Sequence, residues 1–123
     1  MTIARDLVEE VYTDLHDAAT RAADIDYTAL TVPELLELQS HREKLVCATA
    51  AVDHQILAAL QAQTTPKAVG AKNWAEVLRI RLRISSTEAR RRLRDAALLG
   101  PRSGLTGEPL EPLYPDVAAA QAA

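Results

Sequence analysis

Apolar side chains recur every three or four positions through most of this chain, the period of a helix rather than of a strand. From residue 3 to about 23, Ile3, Leu7, Val11 and Leu15 fall at intervals of four, and Val8, Ala18, Ala19 and Ala22 widen the stripe. Asp6, Glu9, Glu10, Asp14 and Asp17 take the opposite face, so the pattern predicts an amphipathic helix. After a short polar connection, Thr31-Val32-Pro33-Glu34 forms a capping box, in which the Thr31 hydroxyl accepts from the Glu34 amide and the carboxylate reaches back. Pro33 is tolerated in the first turn, where its missing N–H would have no partner. Leu35, Leu38, Leu45, Val52, Ile56 and Leu60 carry the apolar pattern to a stop at Thr64-Thr65-Pro66. A helix of about thirty residues needs a partner along its length. The first helix, folded back antiparallel, is the expected cover, and a second copy of the chain is the alternative.

Residues 67–72 are a connector. Asn73 and Glu76 open a shorter helix through about Leu82, Arg83-Ile84 is a turn, and Ser85-Ser86-Thr87-Glu88 launches another helix that runs to Leu99. Gly100-Pro101 ends it, with the glycine expected in the left-handed conformation. Residues 78–84 alternate Leu-Arg-Ile-Arg-Leu-Arg-Ile, which also suits a half-buried strand with Arg79, Arg81 and Arg83 on one face. The flanking caps and the lack of a partner strand favour helix. From Gly104 to Pro115, two glycines and three prolines predict an extended linker. Asp116 is placed to cap a further helix that the chain enters only briefly, as if cut short.

Composition supports this picture. The 123 residues suffice for one modest core, and 48% apolar with 25% charged side chains is ordinary for a globular protein. Abundant Ala and Leu with few aromatics favour helices. No run approaches the roughly 20 uninterrupted apolar residues of a membrane span. The N-terminus has no secretory pattern, and the single Cys47 excludes an internal disulfide framework, so a cytoplasmic protein without membrane contact is expected.

Charge changes the picture more. The net charge is −3, yet residues 1–65 balance to −7 and residues 66–103 to +7. Ten basic side chains against Glu76, Glu88 and Asp95 in the second segment point to a local anionic partner. Two short helices joined by a tight turn match the helix-turn-helix pattern. Ala89, Leu93, Ala96 and Ala97 form the inward face of its second helix. Arg79, Arg83, Ser85, Ser86, Thr87, Arg90, Arg91 and Arg94 are then the candidate nucleic-acid contacts, with Arg92 beside them. A helix N-terminus attracts phosphate, short hydroxyls donate to backbone oxygens, and arginine bonds guanine edges bidentately. The competing interpretation is a solvated arginine face on a plain helical bundle.

No other constellation carries chemistry. His16, His41 and His54 are scattered, and Glu37 with His41 lacks a second pair to complete a metal site. Cys47 has no CxxC partner, and neither a phosphate loop nor a nucleophile elbow is present. The expectation is therefore no enzyme, no cofactor and no metal.

The ordered motifs Asn73-Trp74-Ala75, Leu82 to Leu93, Gly100-Pro101-Arg102, Leu105-Thr106-Gly107-Glu108-Pro109-Leu110 and the closing Ala118 to Ala123 resemble the actinobacterial, largely mycobacterial, "thirteen-E-twelve" repeat family. Its members share an N-terminal helical domain of unknown function, usually followed by an HNH nuclease module. The resemblance implies a DNA-binding or DNA-positioning role for Arg83, Ser85, Ser86, Thr87, Arg90, Arg91 and Arg94. The HNH histidines have no counterpart here, so nuclease activity does not carry over.

The expected protein is thus all-α. It has an acidic antiparallel helical hairpin (1–65), a basic helix-turn-helix-like region (66–101) and a Pro/Gly-rich segment with a truncated helix start (102–123). Double-stranded DNA is the expected partner. A homodimer through the long second helix, or a truncated fragment without a function of its own, is the alternative.

Overall fold

The computed structural model describes residues 2–100, 102–103, 109–110 and 115–122. Among these residues the regular structure is helical apart from one very short ladder. The order is α1 (Thr2–Ala23), a 3-10 turn (Tyr27–Ala29), α2 (Val32–Gln63), a second 3-10 turn (Lys67–Val69), α3 (Trp74–Leu82), α4 (Ser86–Leu99), β1 (Arg102–Ser103), β2 (Pro109–Leu110) and α5 (Pro115–Ala122). The chain forms two compact units, Met1–Gln39 and Ser40–Ala123, a division that falls inside α2.

In the first unit the side chains of residues 3–29 are all exposed, and only Leu30, Leu35 and Leu38 are half-buried. The apolar stripe of α1, from Ile3 to Leu15, is open to solvent. The cover expected from an antiparallel hairpin thus has no burial on α1 to support it. Local hydrogen bonds define the connection instead. Asp26 caps the 3-10 turn by accepting from the Thr28 amide at 3.1 Å, and the Tyr27 hydroxyl donates to the Ala22 carbonyl. The Thr31 box is complete: the Glu34 amide donates to the Thr31 hydroxyl at 3.3 Å, and the Thr31 amide donates to the Glu34 carboxylate at 2.9 Å. The backbone bond from Thr31 holds the Glu34 carboxyl below its ordinary value.

In the second unit Leu57 of α2, Leu78 of α3, and Ala89 and Ala96 of α4 make the buried cluster, with Ala75, Ile84 and Leu93 against it. Alanines at the α4 contact let the helix axes come close. The buried face of α2 carries His54 and Leu57, whereas Leu45, Val52 and Ile56, on the stripe read from the sequence, are 57%, 41% and 52% exposed. The cause is that α2 is apolar on two sides, so a single stripe could not be chosen from spacing. His54, one of three histidines scattered along the sequence, is buried, and its Nδ1 has no hydrogen-bond partner among the described residues.

Residues 78–82 are helix, and the strand alternative fails because the Asn73 and Ser85 caps fix the frame on either side. Gly100 is extended (φ −89°, ψ 177°), not left-handed. Its glycine is required by close approach instead: a Cβ there would lie 2.6 Å from the Ala96 carbonyl oxygen and 2.9 Å from the His54 Cβ. Beyond it, β1 and β2 pair antiparallel, Arg102 with Leu110 and Ser103 with Pro109. The rest of the expected 104–115 linker, apart from Pro115 at the start of α5, lies outside the described residues. Asp116 sits in the first turn of α5, one residue inside Pro115, and α5 lies against α4.

Candidate nucleic-acid interface

The site is built on α3, α4 and the turn between them, over a core to which α2 contributes Leu57. Asn73 caps α3, its Oδ1 accepting from the Glu76 amide at 2.9 Å. Ser85 caps α4, its hydroxyl accepting from the Glu88 amide at 3.0 Å. The α3–α4 turn is completed by Arg83, at φ 56° and ψ 45°, the sole non-glycine residue with positive φ among those described. A branched or bulky side chain in that region costs about 1–2 kcal/mol, because Cβ crowds the following carbonyl.

Ala89 is fully buried and Ala96 nearly so, which fixes the roll of α4. The opposite face then carries Thr87, Arg90, Arg91 and Arg94, three and four residues apart and all exposed. Ala97, expected inward, is exposed because it lies off the Ala89–Ala96 line. Arg79, Arg83, Ser85 and Ser86 are also exposed. The site residues expected from the sequence are therefore accessible as a set.

They are not electrostatically equivalent. Arg91 donates to both Glu88 oxygens, from Nε at 2.9 Å and from a terminal nitrogen at 2.5 Å, and to Asp95 at 2.9 Å. Arg92 Nε donates to Glu88 at 2.9 Å. The hydrogen bonds from Arg91 and then Arg92 hold the Glu88 carboxyl at about 2, against an ordinary 4.5, and the same contact pushes Arg91 upward. The Glu88 carboxylate is thereby taken up by these charged partners rather than by the Ser85 amide, the second bond of a capping box. Arg91 is thus occupied within its own helix. Arg94 approaches Asp95 only at 4.0 Å and is 67% exposed. Of the candidate set, Arg79, Arg83 and Arg90 make no ion pair among the described residues, so these three and Arg94 are its members free to meet an anion.

Sequence reasoning treated the arginines of α4 as alike, although Glu88, three and four residues before Arg91 and Arg92, was the available signal for the difference. The left-handed backbone at Arg83 had no such signal. Among the described residues no group of three His, Cys, Asp or Glu side chains is arranged to hold a metal.

Known proteins match this chain in sequence. The uncharacterized protein MT1160 of Mycobacterium tuberculosis (strain CDC 1551) is 38% identical over 98% of this chain and 29% of its own length. The uncharacterized protein Rv3466 of Mycobacterium tuberculosis (strain H37Rv) is 38% identical over 96% of this chain and 53% of its own length. The uncharacterized protein Mb1614c of Mycobacterium bovis is 36% identical over 96% of this chain. The chain thus spans between about a quarter and about half of the curated relatives it matches. No solved structure matches it. A family model covers residues 34–123, which takes in most of α2 and all of the site, and on that match the protein belongs to the family described as domain of unknown function DUF222.

Proposed function

We propose that this chain is a non-catalytic helical domain that binds double-stranded DNA through the outward face of α4 and the α3–α4 turn. The observation that carries this reading is the roll of α4: Ala89 and Ala96 are buried, which leaves Thr87, Arg90 and Arg94 facing outward beside Arg83. Side chains spaced in that way reach base edges in a major groove, while flanking cations and the helix N-terminus meet phosphates. Arg91, held by Glu88 and Asp95, supports the helix rather than the contact.

If Arg79, Arg83, Arg90 and Arg94 each displace one counterion, log affinity falls with log salt at a slope near about −4, close to a hundredfold loss between roughly 50 and 200 mM salt. Duplex titrations at those two salts test this. Arg90→Ala with Arg94→Ala should flatten the slope by about two, whereas Arg91→Ala should change it little. Absent binding, or binding indifferent to salt and to these substitutions, rejects the reading.

The resemblance to the thirteen-E-twelve family extends the proposal: the domain positions DNA for an HNH endonuclease-like region of a longer protein and does no chemistry itself. A cytoplasmic setting fits that role.

A further inference from the structure

The outer face of α2 carries a second, unused pattern. Positions 42, 45, 49, 52 and 56 are separated by three and four residues in turn, the seam of a heptad repeat, and they hold Arg42, Leu45, Thr49, Val52 and Ile56. This seam lies opposite the face that buries His54 and Leu57, and all of it belongs to the second unit. Leu45, Val46, Val52 and Ile56 are 57%, 50%, 41% and 52% exposed, an apolar row about 16 Å long at the helical rise, interrupted by Thr49. We infer that this seam is a homodimer interface, in which α2 of a second copy packs antiparallel with its two-fold axis beside residue 47.

Charge selects both the partner and the direction. A parallel, in-register pair would face Arg42 with Arg42 of the second copy inside the seam, and like charges there are repelled. The antiparallel register centred at residue 47 sets Arg42 against Val52 of the second copy and next to its Asp53. The two-fold repeats that contact, so the interface contains two Arg42–Asp53 pairs. Neither residue has an ion pair within its own chain among the described residues. In the same register Leu45 meets Thr49, Val46 meets Val46 and Ala48 meets Ala48, and no like-charged pair arises. The arrangement also accounts for a helix that is apolar on two sides: one face belongs to the α3–α4 core and the other to the second copy. By length and composition alone α2 would also span a membrane, which makes a lipid surface the rival occupant.

The inference stands apart from nucleic-acid binding, so the two fail independently. Sedimentation velocity of the full chain, from roughly 1 to 500 µM, should show a monomer–dimer equilibrium. Leu45→Asp with Val52→Asp should leave a monomer with unchanged far-ultraviolet circular dichroism. Arg42→Asp alone should abolish the dimer, and Arg42→Asp combined with Asp53→Arg should restore it. A monomer at every concentration, a dimer that survives Leu45→Asp with Val52→Asp, or a charge swap that does not restore assembly overturns the inference. So does a monomer that partitions onto neutral phosphatidylcholine vesicles through these side chains.

Discussion

Arg83 ties stability and binding together in opposite directions. Its backbone is left-handed, with φ 56° and ψ 45°, in a turn where glycine would meet no steric penalty. Arg83→Gly removes about 1–2 kcal/mol of crowding in the folded state. It also gives the unfolded chain more freedom, which costs about 0.4–1 kcal/mol. The difference is a net stabilisation of about 0.5–1 kcal/mol, or about 2–8 °C in Tm for a cooperative unit of this size. Arg83→Ala separates the two roles, because alanine keeps the Cβ and the crowding but loses the guanidinium. Thermal unfolding followed by circular dichroism should find the alanine variant within about 0.5 kcal/mol of the parent and the glycine variant above both. Duplex titration should find both variants weakened to the same extent, by the loss of one cationic contact. A glycine variant less stable than the alanine variant, or one that binds duplex as tightly as the parent, refutes the reasoning.

Two other substitutions probe the frame that holds the site. Gly100→Ala forces a Cβ to within 2.6 Å of the Ala96 carbonyl oxygen, which must move, so it should destabilise the protein by about 1–3 kcal/mol in urea unfolding; a neutral result would contradict the close approach of Gly100 to Ala96 and His54. Glu88, whose carboxyl is held at about 2 against an ordinary 4.5, adds stability that is complete above the unfolded value and is lost as pH falls from about 4.5 toward 2. Glu88→Gln should flatten that part of the stability–pH curve, and an unchanged curve would show that the Arg91 and Arg92 bonds contribute nothing.

Much of the fold was legible because its boundaries are chemical. The Thr31, Asn73 and Ser85 caps fix where α2, α3 and α4 begin, and they settle residues 78–82 as helix against an alternation that suggests a strand. What spacing could not give was which apolar face of α2 is buried, since Ala, Val and Leu line both. Spacing also gave the wrong reason for Gly100, because close approach to His54 and a left-handed cap demand the same residue. The arginine set was legible as a cluster. Its division into held and free members depended on Glu88, where two guanidiniums within reach outcompete one backbone amide.

The most direct test of the central claim is a residue-resolved one: amide chemical-shift changes of the full chain on adding a short double-stranded DNA at low salt. The account predicts that the largest changes fall between Arg83 and Arg94, on the turn and the outward side of α4, and that they reverse when salt is raised. Changes confined to α1, or no changes at DNA concentrations well above the protein, would contradict it.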